Sequence, residues 1–223
     1  MATFVRLMQA DSLSLRFHVA RFPVVIEPTF WLAMLLSASN GSGARMGGPH
    51  VALWVGVVFV SILVHELGHA LAARAFGANA WISLHALGGL TRSDRALPRN
   101  RDLVMTLAGP AAGFVLAGAV WLFRHELPSL ARAHNLRFLL RALFEVNFWW
   151  GLFNLLPIPP LDGGHAALLL AGARRERAVR KVAIGVAALV VLWGVATQNI
   201  FVVLLVGLMG YRNYQVLQGQ EQR

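Results

Sequence analysis

The stretch VALWVGVVFVSILVHELGHALAARAF, residues 51–76, decides the fold class of this sequence. Its first part, residues 51–64, is uncharged, and a bilayer core about 30 Å thick needs roughly 20 helical residues to cross. Hydrophobic residues make up 57% of the 223-residue chain and charged residues only 13%, which is typical of membrane proteins. We therefore predict that residues 51–76 form a membrane-spanning helix.

Further apolar blocks predict an all-α polytopic membrane protein with about six transmembrane helices. The uncharged block 103–123 is long enough for one span, and another span starts from about Phe138. The uncharged block 182–211 exceeds one crossing and is expected to fold into two spans at the polar residues near its middle. Residues 15–25 alternate loosely and are compatible with an extended interfacial strand before Pro28 and Thr29, which suit a helix start. The first block, 29–38, is short, so we expect that span to begin nearer Phe22.

A small membrane-associated β element is expected at about 81–92. Its first residues are β-prone, and it contains the pair Gly88-Gly89, which favours a strand or hairpin. The rest of the chain is helical blocks and short loops. We therefore predict a single membrane-embedded domain over residues 1–223.

The basic residues of the chain lie between its apolar blocks. The net charge is +10, and all but one of the 20 basic residues are Arg. This placement is typical of charges that flank membrane helices, so we predict no nucleic-acid partner. With six spans, 14 basic residues fall on the side that holds the N- and C-termini, and five fall on the other. The positive-inside rule then predicts a cell-membrane protein whose termini and active site face the cytoplasm.

The sequence His65-Glu66-Leu67-Gly68-His69, inside the predicted span 51–76, fits the HExxH zinc motif. Residues four apart lie on one face of a helix, so both imidazoles can bind one ion while Glu66 stays free beside them. Chance produces this motif in roughly 0.8% of chains with this composition. Because an ionisable side chain in a membrane span costs roughly 2.5 to 3.5 kcal/mol, three together favour a functional site.

A third metal ligand must come from elsewhere, because a catalytic zinc takes three protein ligands and leaves one position for water. The chain has no Cys, and the acids near another apolar segment are Glu145 and Asp162. Asp162 is preferred: the prolines before it unwind the chain over about 154–165, and the two glycines after it let a short carboxylate approach the ion without a helix in the way. His165 is expected beside the ligands, because a fourth protein ligand would close the open position.

Three motifs, HELGH at 65–69, NLLP at 154–157 and LDG at 161–163, together resemble the site-2 protease family of intramembrane metalloproteases. The six-span layout extends the resemblance over most of the chain. It implies regulated cleavage of transmembrane protein substrates in the lipid bilayer, and it leaves a regulatory membrane partner open. Many relatives carry an inserted PDZ domain or a terminal CBS domain. No segment here is long enough for either, so the sequence resembles a minimal form.

The resemblance also implies roles for individual residues. It implies that one zinc ion per chain is held by three ligands, namely His65, His69 and Asp162. It also implies that Glu66 is the general base. The residues that look like the family's substrate-positioning elements are Gly88, Gly89, Asn154 and Pro157.

Two other functions are open from the residues alone. A zinc-binding but non-cleaving membrane protein, such as a pseudoprotease adaptor or an ion carrier, would use the same ligands and would keep its function after Glu66→Gln. A different membrane zincin would take its third ligand from Glu145 or Glu126 and would tolerate Asp162→Asn. Neither accounts for the proline-rich approach to Asp162.

Overall fold

A computed structural model describes residues 13–40, 48–126 and 134–221 of the chain. These residues form seven α-helices and one four-stranded sheet. In chain order the elements are β1 (Leu15–Val19), β2 (Phe22–Ile26), α1 (Pro28–Asn40), α2 (Gly48–Ala75), β3 (Ala80–His85), β4 (Gly88–Ser93), α3 (Arg99–Glu126), α4 (His134–Asn154), α5 (Asp162–Ala171), α6 (Glu176–Ala196) and α7 (Ile200–Glu221). A 3-10 turn at Ala173–Arg175 precedes α6.

Four helices, α2, α3, α6 and α7, are long and apolar enough to cross a membrane. The apolar helix α1 is shorter, and the 21-residue α4 carries Arg137, Arg141 and Glu145. Helices therefore stand at all six predicted span positions, and α5 is an additional short helix. Outward-facing Val115 and Leu189 are 73% and 67% exposed, which suits contact with lipid. The chain is an integral membrane protein.

The prediction that the first span begins nearer Phe22 was wrong. The helix begins at Pro28, and the residues before it form the strand β2, which pairs antiparallel with β1. In β2 a buried residue alternates with a half-buried one, so its side chains point to two faces of a sheet, and Pro28 suits the first turn of a helix. The turn between the two strands uses Ala20 and Arg21, both with positive φ.

The expected β element at 81–92 is the β3–β4 hairpin, and it belongs to a larger sheet with the order β1-β2-β3-β4. Strand β2 pairs parallel with β3, and the connection between them runs through α1 and α2. One face of the sheet is apolar: Val24, Ile82 and Leu84 are at most 1% exposed and share a core cluster with Phe30 and Ile62. The sheet is thereby fixed to α1 and α2, with β4 at its edge.

The unwound segment is shorter than the predicted 154–165. Helix α4 ends at Asn154, the non-helical backbone covers 155–161, and helix resumes at Asp162. The prolines break α4 as expected, and an acidic residue in the first turn of α5 suits a helix N-terminus. The following glycines do not keep a helix away: a Cβ atom on Gly163 or Gly164 would collide with the backbone of Leu155 or Pro159, so they let α5 pack tightly on the preceding segment.

Candidate metal centre

Three side chains from two distant parts of the chain converge at one point. His65 and His69 lie one turn apart on α2, and Asp162 is the first residue of α5. The Nε2 atom of His65 lies 3.0 Å from Asp162 Oδ2 and 3.2 Å from His69 Nε2. His69 Nε2 lies 3.4 Å from Asp162 Oδ1. Both histidines are buried and the Asp162 side chain is 18% exposed, so most of the cluster is shielded from solvent.

The separations of these atoms fit a metal ion bound between them. Zinc bonds of about 2.0–2.2 Å at tetrahedral angles place two ligand atoms roughly 3.3–3.6 Å apart, and the three observed separations fall within a few tenths of an ångström of this range. Two imidazole nitrogens and one carboxylate form a donor set that zinc favours. Among the described residues this is the only group of three or more metal-ligating side chains close enough together to hold an ion.

The orientation of His69 is fixed by α3. Its Nδ1 atom lies 2.8 Å from the carbonyl oxygen of Met105, which can only accept, so Nδ1 carries the proton and Nε2 presents its lone pair to the cluster. Helices α2 and α3 approach closely here. Gly68 permits this approach, because a Cβ atom at that position would collide with the carbonyl of Ala108. A Cβ atom on Gly109 would collide with the His69 ring at Nε2 itself. Gly109 therefore leaves room for the ligand.

His65 is held differently. Its Nδ1 atom is buried and has no hydrogen-bond partner within the part of the chain that the structure describes. Its Nε2 atom contacts both Asp162 and His69, so the imidazole is oriented by the cluster itself. The two histidines consequently depend on different neighbours for their position.

Glu66 is held by strand β4. Thr91 Oγ1 lies 2.8 Å from Glu66 Oε2 and 3.0 Å from the carbonyl oxygen of Glu66, so its single hydroxyl proton is shared between these two acceptors. Gly89, two residues earlier on the same strand, leaves room for the carboxylate, because a Cβ atom there would collide with the Glu66 side chain. Strand β4 thus holds the side chain of Glu66 in place.

The chain matches one family over more than half of its length. Residues 53–129 and 125–196 match peptidase family M50, and these ranges contain both the histidine motif and the segment leading to Asp162. This chain belongs to peptidase family M50. A zinc metalloprotease of Methanocaldococcus jannaschii is 25% identical over 195 residues, which cover 85% of this M50 chain and 56% of that protein. Rip3 of Mycobacterium tuberculosis is 32% identical over 182 residues, which cover 71% of this chain and 45% of that protein.

The resemblance to the site-2 protease family is therefore confirmed. The structure of the site-2 protease from Methanocaldococcus jannaschii superposes with a TM-score of 0.63 at 23% identity and covers 92% of this M50 chain and 95% of that chain. The two proteins share a fold. The M50 chain spans about half the length of the curated relatives it matches.

The cluster lines one wall of a cavity of about 440 Å³ in this M50 protein. Of the residues predicted to position substrate, Gly89 and Asn154 line this cavity, whereas Gly88 and Pro157 do not. The Asn154 side chain is turned back to its own helix, where its Nδ2 atom donates to Trp150 O at 2.9 Å. Gly88 has a φ of 113° and packs against the Trp150 ring, which accounts for glycine at that position.

Glu145 and His165 do not belong to the group of three clustered ligands. Glu145 forms an ion pair with Arg141 at 2.8 Å on the exposed side of α4, and the Glu126 side chain lies outside the described residues. His165 lines the cavity, but its Nε2 atom contacts Asp102 Oδ2 at 3.4 Å.

Sequence reasoning missed three residues of this M50 site: Thr91, Met105 and Gly109. Thr91 lies two residues after the Gly88-Gly89 pair, so a strand pattern would have placed it on the same face of β4 as Gly89. In the sequence, Gly109 next to Pro110 indicates only a possible kink of the helix. The backbone acceptor at Met105 carries no signal in the sequence, because any residue supplies a carbonyl.

Proposed function

We propose that this chain is a zinc-dependent endopeptidase that cleaves membrane-spanning proteins within the bilayer or at its edge. One observation carries the proposal: His65, His69 and Asp162 converge at the separations of zinc ligands beside the carboxylate of Glu66, inside an apolar helical bundle. Buried ionisable groups in a membrane span are costly, and they mark functional sites. Family membership supports the same chemistry.

The residues take the following roles. His65, His69 and Asp162 would hold the ion, which, when bound, lowers the pKa of a water molecule and polarises the scissile carbonyl. Glu66 would accept a proton from the attacking water and return it to the leaving amine. Thr91 donates to Oε2 of Glu66 and would hold this carboxylate in place beside the ion.

The substrate must present an extended backbone to this site, because a helical substrate keeps each carbonyl in an intrahelical hydrogen bond. Strand β4 is the last strand of the sheet, and its residues Gly89, Leu90 and Thr91 line the cavity. We propose that β4 pairs with an unwound stretch of the substrate. Asn154 would help to position the substrate from the cavity wall. Gly88 and Pro157 would instead shape the backbone around the cavity.

The orientation in the membrane follows from charge. The basic residues favour a cell-membrane protein with both termini and the metal centre toward the cytoplasm. The partners are then single-span membrane proteins and the surrounding lipid, and a membrane protein that regulates substrate access is compatible with this arrangement. A zinc-binding protein without catalytic activity is a less well supported alternative, because it would not need Thr91 to hold the Glu66 carboxylate.

The proposal is tested by incubating the purified full chain, in detergent and zinc, with a panel of single-span substrates. Cleavage is expected within or next to the substrate span, and a chelator is expected to abolish it. Glu66→Gln should bind zinc as the wild type does and cleave nothing. A broad panel without any chelator-sensitive product would refute proteolysis, and cleavage by Glu66→Gln would refute the role of the base.

A further inference from the structure

A buried amide on the last helix holds the segment that leads to Asp162. Asn213, on α7, is 1% exposed. Its Nδ2 atom donates hydrogen bonds to the carbonyl oxygen of Pro159, at 2.6 Å, and to that of Met209, at 2.8 Å. The second bond ties the side chain to its own helix. The first joins α7 to the backbone three residues before Asp162.

The oxygen of the same amide is bound by a charged side chain on α6. Arg180 donates from Nη1 to Asn213 Oδ1 at 3.0 Å, and its Nε and Nη2 atoms lie 2.8 and 2.7 Å from Glu176 Oε1. The Arg180 side chain is only 15% exposed. Because a guanidinium group only donates, the amide oxygen faces Arg180 and the amide nitrogen faces Pro159. The contact with Arg180 thereby directs the amide nitrogen of Asn213 toward the carbonyl oxygen of Pro159.

Apolar packing surrounds this polar contact. Ile158 and Leu161, on either side of the two prolines, are 0% and 6% exposed and share a core cluster with Ala187, Val206 and Met209 of α6 and α7. Pro159 itself is only partly buried and lines the cavity, so the hydrogen bond from Asn213 is the contact that fixes its carbonyl. The segment 158–161 therefore depends on α7 for both its apolar and its polar contacts.

A displacement of Pro159 would be transmitted to Asp162. Gly163 and Gly164 bring the first turn of α5 into contact with Leu155 O and Pro159 N, with no space for even a methyl group. The first turn of α5 and the preceding segment are therefore packed as one unit. Asp162 stands at the start of that turn.

We propose that Asn213 is a positioning residue for the metal centre, which sets the place of the Asp162 carboxylate against the histidines through its hydrogen bond to Pro159. Arg180, held by Glu176, keeps the amide in the required orientation. This inference rests on the proposed zinc-binding role of Asp162. It makes α6 and α7 part of the machinery that determines metal affinity, although both histidines come from α2.

Asn213→Asp is the variant that separates this role from general packing. Aspartate has nearly the same shape and can still accept from Arg180, but it has no N–H group to donate to Pro159 or Met209. A carboxylate oxygen would then face two carbonyl oxygens. Asn213→Ala removes the hydrogen bonds without adding a charge, and it repeats the test if the aspartate variant does not fold.

Asn147→Ala is the matched control. Asn147, on α4, is 2% exposed, and its Nδ2 atom donates to Ser61 Oγ and to Leu143 O, both at 2.8 Å and both outside the segment 155–162. Like Asn213, it is a buried amide that links two helices of the bundle. Its loss should lower thermal stability without moving Asp162.

Two measurements on the full-length protein in detergent test the inference. The first is the zinc dissociation constant, from competition with a chelator. We expect it to rise about tenfold in Asn213→Asp and Asn213→Ala, in the range typical of residues that support metal ligands, and less than twofold in Asn147→Ala. The second is hydrogen exchange of residues 155–162 in the metal-free protein, which should become faster in both Asn213 variants and stay unchanged in the control.

The outcomes distinguish this inference from the proposed function. If the wild type binds no zinc, the metal centre itself is refuted, while hydrogen exchange still reports whether Asn213 holds the segment. If the wild type binds zinc through Asp162 but both Asn213 variants keep its affinity within twofold and its exchange pattern, only the positioning role is refuted. An equal loss of affinity in Asn147→Ala would also refute it, because any buried amide would then have the same effect.

Discussion

Thr91 Oγ1, on the edge strand, lies 2.8 Å from Oε2 of Glu66, on the helix that carries the zinc motif. The proposed general base is thus held by the same strand that is proposed to bind substrate. A hydrogen bond to a charged group contributes roughly 1.5–3 kcal/mol. Its loss should therefore be visible in kcat if Glu66 acts as the base.

Thr91→Val keeps the shape of the side chain and removes its hydroxyl. We expect kcat to fall roughly ten- to a hundredfold while zinc content stays at the wild-type level, because the metal ligands are untouched. Thr91→Ser, which keeps the hydroxyl, should retain most of the activity. Steady-state cleavage of one substrate together with metal analysis gives the answer. Equal activity of the valine and serine variants would contradict a role for the hydroxyl.

Gly89→Ala tests why glycine stands beside Glu66. A Cβ atom would collide with the Glu66 carboxylate, so we expect kcat to fall about a hundredfold through displacement of the base. Gly56→Ala is the control, because a Cβ atom on Gly56 of α2 meets nothing within 4 Å. If Gly89 served only the substrate backbone, KM would rise and kcat would stay unchanged. That result would separate the two roles of the strand.

Gly109→Ala should weaken zinc binding. The added methyl group would collide with His69 Nε2, so the ligand must move, and we expect the zinc dissociation constant to rise by about a hundredfold. Gly118→Ala, on the same helix, adds a methyl group that meets nothing within 4 Å and controls for the change in helix propensity. Chelator competition measures both. Unchanged affinity in Gly109→Ala would mean that His69 is not held where the structure has it.

Much of the fold and the candidate cluster could be predicted from the sequence, because the signals are local. HELGH places two ligands and an acid within five residues of one apolar helix, and the prolines before Asp162 mark a break that a buried span would otherwise not contain. The positions of the remaining helices follow from the length of each apolar block. These signals need no knowledge of which helices are neighbours.

The residues that hold the cluster could not be predicted, because their roles arise from contacts between distant elements. Thr91 reaches Glu66 only because the sheet packs on α2, and Asn213 reaches Pro159 only because α7 lies against the unwound segment. The error at Phe22 has the same origin. An apolar run of five residues fits a helix or a strand equally well, and its pairing with β1 and β3 decides for the strand.

The identity of the third ligand can be tested with a matched pair of acids. Asp162→Asn should lose zinc, because a neutral amide is a poor replacement for the carboxylate, whereas Glu145→Gln should keep it, because that side chain is paired with Arg141 away from the cluster. The two variants remove one charge each from neighbouring parts of the chain. Retention of zinc by Asp162→Asn with loss from Glu145→Gln would support the alternative ligand set.

The zinc content and ligand shell of the purified wild-type protein test the central claim most directly. X-ray absorption at the zinc edge should show one ion per chain with two imidazole nitrogens and oxygen ligands at about 2.0–2.2 Å. The imidazole signal should disappear together with the metal in His65→Ala and His69→Ala. A wild-type protein that carries no zinc, or one whose zinc has no histidine in its shell, would contradict the account.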